Sequence, residues 1–185
     1  MRAKNHGSLS RSPFPRATAN FMPIDIRPIA PDDAPAIAAL ARIVWLDAYS
    51  SILSRAQINY MLAQRYDHAR LRAECGNPAK WLRQAFIGDF RAGFAACELC
   101  KGEFKLDKLY VHPETQRRGV GAALVAHAAE LARGEGCSAM ILAVNKNNAQ
   151  AIRAYAKYGF RVRETSLTDI GGGFSMDDYI MERTL

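Results

Sequence analysis

Apolar positions recur along the chain first at every second residue and then at every third or fourth, and the switches of period mark out the elements. Residues 24–29 alternate apolar with polar and predict a first strand. Asp32 and Asp33 then open a helix, with Pro35 in its first turn, where the missing N–H is tolerated. Ile37, Ala41, Val44, Trp45 and Ala48 share one face of that helix. A second helix is expected from Ser54, which with Gln57 three residues on has the pattern of a capping box; Ile58, Met61 and Leu62 form its buried face. Past a loop around residues 76–78 the period becomes two. Residues 81–87 and 90–99 read as a hairpin turned by Gly88-Asp89, and Lys101-Gly102 leads into a strand over 103–111. There follow a helix over 119–134, a strand over 139–144, a helix over 148–158, and strands over 160–168 and 174–184 flanking Gly171-Gly172-Gly173. The order β-α-α-β-β-β-α-β-α-β-β predicts an α/β fold with a mixed sheet, antiparallel in its front half, and a helical crossover between parallel strands.

The strand over 103–111 does not keep one parity. Phe104 and Leu106 fall on one side, and Leu109 and Val111 on the other. A period of two holds all four on one face only if a residue is inserted, so a β-bulge is expected near residues 107–109. The alternative is a strand buried on both faces.

At 185 residues, 49% hydrophobic and 23% charged, the chain suits one ordinary folded domain and is not generally disordered. The net charge of +7 is uneven: residues 1–22 hold Arg2, Lys4, Arg11 and Arg16 with no acid, leaving +3 for the rest. Residues 1–22 therefore read as a disordered basic tail and residues 23–185 as the domain. The tail shares an Arg/Ser-rich, acid-free composition with transit peptides, and Met22 is an alternative start. No apolar run reaches the ~18 residues that a membrane span needs, so a cytoplasmic protein without membrane partners is expected. The body has no basic stripe interleaved with aromatics, which argues against a nucleic-acid partner. Cys97 and Cys100, three apart on a strand, point to opposite faces; with Cys75 and Cys137 they read as structural thiols, and no metal is expected.

The candidate chemistry begins where the strand over 103–111 runs through His112-Pro113-Glu114-Thr115 into Gln116-Arg117-Arg118-Gly119-Val120-Gly121-Ala122 and a helix with Val120, Leu124, Ala128 and Leu131 inward. Unpaired N–H groups and a partial positive charge make a helix start a phosphate site. Glycines 119 and 121 let a ligand approach the backbone, and Arg117 and Arg118 add charged donors. A Rossmann fingerprint would need Gly or Ala at Leu124, and a P-loop would need Gly-Lys-Ser/Thr; neither is present.

The stretch resembles instead the pyrophosphate-binding pattern Gln/Arg-x-x-Gly-x-Gly/Ala of the GNAT superfamily of N-acetyltransferases. Asn148, Ala151, Ile152 and Tyr155, followed by Gly159-Phe160, resemble a second signature of that superfamily, in the right order. Those four residues share one helix face, and Gly159 is the expected left-handed stop. The resemblance extends over residues 24–185 in element order and is sharpest over 106–160. It implies a single GNAT-type domain whose fourth and fifth strands splay apart to admit acetyl-CoA. It places the pyrophosphate on the amides of residues 117–122, beside Gln116, with Asn148 and Ala151 close by. The backbone of Leu109, Tyr110 and Val111 would pair with the pantetheine arm. An amine would attack the thioester directly in a ternary complex, with Tyr155 as the acid that protonates the leaving sulfur. Asp107 stands where some relatives carry a glutamate acting as base; it is equally suited to pair with Lys105 or Lys108. Tyr49, following Trp45, lies where relatives build the acceptor pocket, although Trp45 itself reads as core. Asp178-Tyr179-Ile180-Met181-Glu182 resembles the ending of polyamine-type and other small-amine acetyltransferases, so the expected acceptor is a small-molecule primary amine. A peptide acceptor, or a non-enzymatic acyl-CoA sensor, is the alternative. Members of the superfamily are often dimers, which makes a homodimer an expectation of the resemblance alone.

Overall fold

The computed structural model describes residues 22–100 and 102–185. The expected tail, apart from Met22, and Lys101 of the second turn lie outside the described residues. In chain order the elements are β1 (Ile24–Pro28), α1 (Ala34–Tyr49), α2 (Arg55–Arg65), α3 (His68–Cys75), β2 (Lys80–Ile87), β3 (Phe90–Cys100), β4 (Glu103–Val111), α4 (Val120–Gly134), β5 (Ala139–Asn145), α5 (Ala149–Lys157), β6 (Arg161–Gly171) and β7 (Phe174–Thr184). The strands form one sheet ordered β1-β2-β3-β4-β5-β7-β6. Only the β4–β5 pair is parallel, with α4 as its crossover.

The expected bulge is present. Cys97 of β3 pairs with Leu106 and Ala96 with Lys108, so Asp107 is the extra residue. Phe104 and Leu106 before it, and Leu109 and Val111 after it, all reach the same hydrophobic cluster. The fourth and fifth strands touch only at Phe104↔Met140 and Lys105↔Ile141, whereas β4 stays paired with β3 out to Val111. A gap therefore opens between β4 and β5 toward the end of β4.

Each face of the sheet carries its own core. Val120, Leu124 and Ala128 of α4 cover Phe104, Leu106, Met140 and Met181 on one side. Ile37, Val44 and Trp45 of α1, Ile58 and Met61 of α2, and Leu71 of α3 cover Leu82, Phe94 and Ala96 on the other. Cys97 is buried in the first core and Cys100 is exposed, so the two thiols do part as their spacing requires.

Three local expectations are corrected. The third helix was not expected: α3 buries only Leu71 and Glu74, too few positions to show a period. Asp67 caps it, accepting from the amides of Ala69 and Arg70 at 3.0 and 3.1 Å. The capping box of α2 is half made. Ser54 accepts from the Gln57 amide at 3.1 Å, but the Gln57 side chain donates to the Ser175 carbonyl at 2.9 Å instead of returning to Ser54. Asp32 and Asp33 belong to a separate 3₁₀ turn, Pro31–Asp33, and α1 starts after it. Among the described residues no helix is long and apolar enough to cross a membrane.

Candidate active site

Beyond β4 the chain is pinned before it turns. The His112 amide donates to the Ala92 carbonyl at 2.8 Å, and the buried Thr115 hydroxyl donates to the same carbonyl at 2.9 Å. The backbone then becomes left-handed at Arg117 (φ 59°) and again at Gly119 (φ 87°). Among the described residues Arg117 is the one non-glycine with positive φ, a conformation that costs roughly 1–2 kcal/mol for a residue with a Cβ. A left-handed residue beside a helix start aims successive amides at one point and so makes an anion-binding concavity. The first intrahelical bond of α4 runs from the Ala123 amide to the Gly119 carbonyl, leaving the amides of residues 120–122 without intrahelical partners. Arg117, Arg118 and Ala122 are exposed, while Val120 and Gly121 are buried. A Cβ on Gly121 would lie 2.8 Å from the Tyr158 hydroxyl, so Tyr158 packs against this position and only glycine fits there without a shift. The chemistry and bareness of this turn fit the pyrophosphate of a coenzyme A thioester.

The two signatures are joined in space. Gln150 donates to the Gln116 side chain at 3.1 Å, and Tyr158 meets Gly121. Asn148 caps α5 by accepting from the Ala151 amide at 3.1 Å. Gly159 (φ 89°) stops the helix, and the Phe160 amide donates to the Tyr155 carbonyl at 3.0 Å. Tyr155 packs against Phe160, with ring centroids 5.9 Å apart. Among the described residues its hydroxyl makes no hydrogen bond. Burial pushes this phenol up, and Tyr49, Tyr110 and Tyr158 push it further, so it keeps its proton at neutral pH.

Near Tyr155 lies an aromatic group drawn from α1, the residue that ends α2, and β4. Trp45 Nε1 donates to the Tyr110 hydroxyl at 3.1 Å, and the Tyr66 hydroxyl donates to the same oxygen at 2.9 Å. Tyr49 stacks on Trp45 with centroids 4.6 Å apart. Burial pushes the Tyr49 phenol up, and the nearby Tyr110 and Asp178 add to it. Asp107 lies beside these rings as the hub of an ion-pair group: Arg65 at 2.7 Å, Lys108 at 2.8 Å and Lys105 at 2.9 Å. Burial alone would raise its carboxyl, but Lys108, Arg65 and Lys105 outweigh burial and hold it well below the usual carboxylate range. A carboxylate so held is a poor proton acceptor. Lys108 also reaches Glu74 at 3.4 Å.

The α2 helix is tied to the β6–β7 hairpin. Gln57 reaches the Ser175 carbonyl at 2.9 Å, Tyr60 donates to the Ile170 carbonyl at 2.9 Å, and the Tyr60 ring lies 5.5 Å from that of Phe174. These contacts bind α2 to the tip of the β6–β7 hairpin.

The structure thus brings Tyr49, Tyr110 and Tyr155 together. It places Leu109, Tyr110 and Val111 on the splayed half of β4 and runs Gln116 to Ala122 as one turn. Asn148 and Ala151 lie at the adjoining helix start, bonded to each other. Three residues beside these were not singled out in the sequence: Arg65, Tyr66 and Tyr158; Asp178 was quoted there only within the small-amine-like ending. Tyr158 lies between two quoted positions of the second signature and could have been noticed. Arg65 and Tyr66 come from the end of α2, which meets β4 only in the fold.

Comparison with known proteins agrees with this geometry. The family model for the acetyltransferase (GNAT) family matches residues 40–160, more than half of the chain. A spermidine N(1)-acetyltransferase of Thermoplasma acidophilum is 26% identical over 152 residues, which cover 80% of this chain and 94% of that protein. The crystal structure of a PaiA N-acetyltransferase from the same organism, in complex with coenzyme A, superposes with a TM-score of 0.77 at 26% identity, over 89% of this chain and all of that one. A peptidyl-lysine N-acetyltransferase, YjaB of Salmonella typhimurium, is 38% identical over 64 residues, only 35% of this chain and 41% of that protein.

Proposed function

This chain belongs to the acetyltransferase (GNAT) family and is an acetyl-CoA-dependent N-acetyltransferase, and we propose that its acceptor is a primary amine of a small molecule. One observation carries the acceptor class. The Gln57–Ser175 and Tyr60–Ile170 bonds tie α2 to the β6–β7 hairpin, and Tyr60 and Ile170 pack on the same cluster as Tyr49 and Tyr110, which in this reading narrows the acceptor side where a peptide substrate would need an open groove. The 26% identity to a spermidine acetyltransferase, along most of both chains, supports the same class.

In this reading the turn from Gln116 to Ala122 holds the pyrophosphate through its free amides, with Arg117 and Arg118 as charged donors at its rim. Asn148 and Ala151 set the angle of α5 beside it. The splayed backbone of Leu109, Tyr110 and Val111 holds the pantetheine arm in the gap between β4 and β5. Acetyl-CoA supplies the activated acyl group as a thioester. Holding both reactants in one cleft turns a bimolecular step into an effectively intramolecular one. An alkylamine with a pKa of about 10.4 arrives protonated and must lose a proton before its lone pair can attack. As the C–S bond breaks, Tyr155 gives its proton to sulfur, and its phenolate takes back the proton that the new amide nitrogen loses. Tyr49 walls the acceptor side. Asp107 acts in this reading through Arg65, Lys105 and Lys108 rather than as the proton acceptor.

The test is a thiol-release assay with acetyl-CoA against polyamines, amino acids, aminoglycosides and short peptides, with Tyr155→Phe as control. Turnover on small amines and not on peptides is expected. Turnover on peptides alone would overturn the acceptor class. Acetyl-CoA raising the melting temperature with no turnover on any amine would favour an acyl-CoA sensor.

A further inference from the structure

Asp178 of β7 is a carboxylate with one oxygen that neighbouring protein groups leave without a hydrogen-bond partner. Its strand neighbours Tyr179 and Met181 belong to the core on the α4 side, and Asp178 therefore projects to the opposite face, toward α1 and α2. The electrostatics agree, since Asp178 acts on Tyr49 and is itself acted on by Arg65. In the sheet it pairs with Asn145, the last residue of β5, at the end of β5 where β4 no longer accompanies it. The other carboxylates nearby are neutralised: Asp107 by three cations and Asp177 by Lys146. Asp178 has no ion pair among the described residues, and its Oδ1 is buried with no hydrogen-bond partner. A buried carboxylate oxygen in that condition is unfavourable unless a ligand supplies a donor, and the donor that suits it best is a cation.

The groups that press on the Tyr155 phenol are Tyr49, Tyr110 and Tyr158, whereas Asp178 presses on Tyr49. Asp178 is thus not among the groups that act on the phenol at the reacting end. We propose that Asp178 binds a second cationic centre of the acceptor, an ammonium that is not itself acetylated, so that the preferred substrates are diamines or polyamines. This inference rests on the small-amine reading above.

The experiment compares 1,4-diaminobutane with butylamine in steady-state acetylation by wild type, Asp178→Asn and Asp178→Ser. A charge-assisted hydrogen bond accounts for roughly ten- to hundredfold in affinity, so wild type should prefer the diamine by that factor in kcat/KM. Both variants should raise the KM for the diamine at least about tenfold, bring the two amines near parity, and leave kcat and the KM for acetyl-CoA little changed. An unchanged diamine KM in either folded variant overturns the proposal. So does an equal loss on both amines, which would put Asp178 at the reacting nitrogen. A wild type that acetylates neither amine but does acetylate peptides overturns the small-amine reading itself, a result distinct from diamine–monoamine parity in an active wild type.

Discussion

Replacing Asp107 by Asn removes one charge at almost constant shape and separates the two roles open to this residue. In the wild type the carboxylate faces Arg65 at 2.7 Å, Lys108 at 2.8 Å and Lys105 at 2.9 Å. The Arg65 and Lys105 side chains are about one-third exposed and can turn to water. The Lys108 side chain is 3% exposed and cannot, although Glu74 at 3.4 Å remains as a partner. Breaking a buried pair typically costs about 3–5 kcal/mol, and the surviving Glu74 contact puts the expected loss near the low end, ~3 kcal/mol. Urea unfolding at pH 7 should show that loss as a lower midpoint at unchanged slope. The pH dependence has a definite sign. Because the folded carboxyl lies below its unfolded value of about 3.9, its contribution is present above that pH and fades as pH falls below it. The gap between wild type and variant should therefore narrow in acid. Under conditions where the variant is folded, kcat for acetyl transfer should fall by less than about tenfold, below the 10²- to 10⁴-fold of a lost acid or base. A stability change under about 1 kcal/mol together with a kcat loss above about a hundredfold would refute this reasoning and make Asp107 the proton acceptor.

Tyr155→Phe should lower kcat by about 10²- to 10⁴-fold, with the rise in melting temperature on adding coenzyme A retained. Gly121→Ala puts a methyl 2.8 Å from the Tyr158 hydroxyl and should raise the KM for acetyl-CoA; adding Tyr158→Phe removes the clashing oxygen and should restore part of the loss, as paired kinetics would show. Tyr60→Phe deletes the bond to the Ile170 carbonyl, so the KM for the amine should rise while that for acetyl-CoA stays constant.

The legible parts of the fold were those written in local periodicity. Four apolar residues of β4 with a parity switch between them were enough to locate the bulge, because a strand has only two faces and one inserted residue exchanges them. The α3 helix was hidden because eight mostly polar residues with one buried leucine have no stripe; the Asp67 cap was its one available signal. The turn proposed for the cofactor was legible as a turn because its groups are consecutive amides at a helix start. The acceptor wall was legible only in part: the resemblance put Tyr49 there, but no spacing relates it to Arg65, Tyr110 and Asp178, which come from three other elements. Trp45 was read as core and is core, yet its indole N–H also holds Tyr110 in place, which only the pairing of α1 with β4 reveals. Asp107 stood open between two roles because its closest cation, Arg65, is 42 residues away along the chain.

The bonds that bind α2 to the β6–β7 tip join residues 118 and 110 positions apart, so the amine chamber closes only when distant parts of the chain meet. The backbone bonds that shape the turn proposed for the phosphates, by contrast, lie within residues 92–123. β6 is exposed along nearly its whole length, with Leu167 74% open to water, and strands of that kind open locally before a buried sheet does. Grip on the nucleotide and grip on the amine therefore differ in their resistance to unfolding. As denaturant rises, the protein should lose its acceptor first, passing through a state that still binds coenzyme A and no longer acetylates anything.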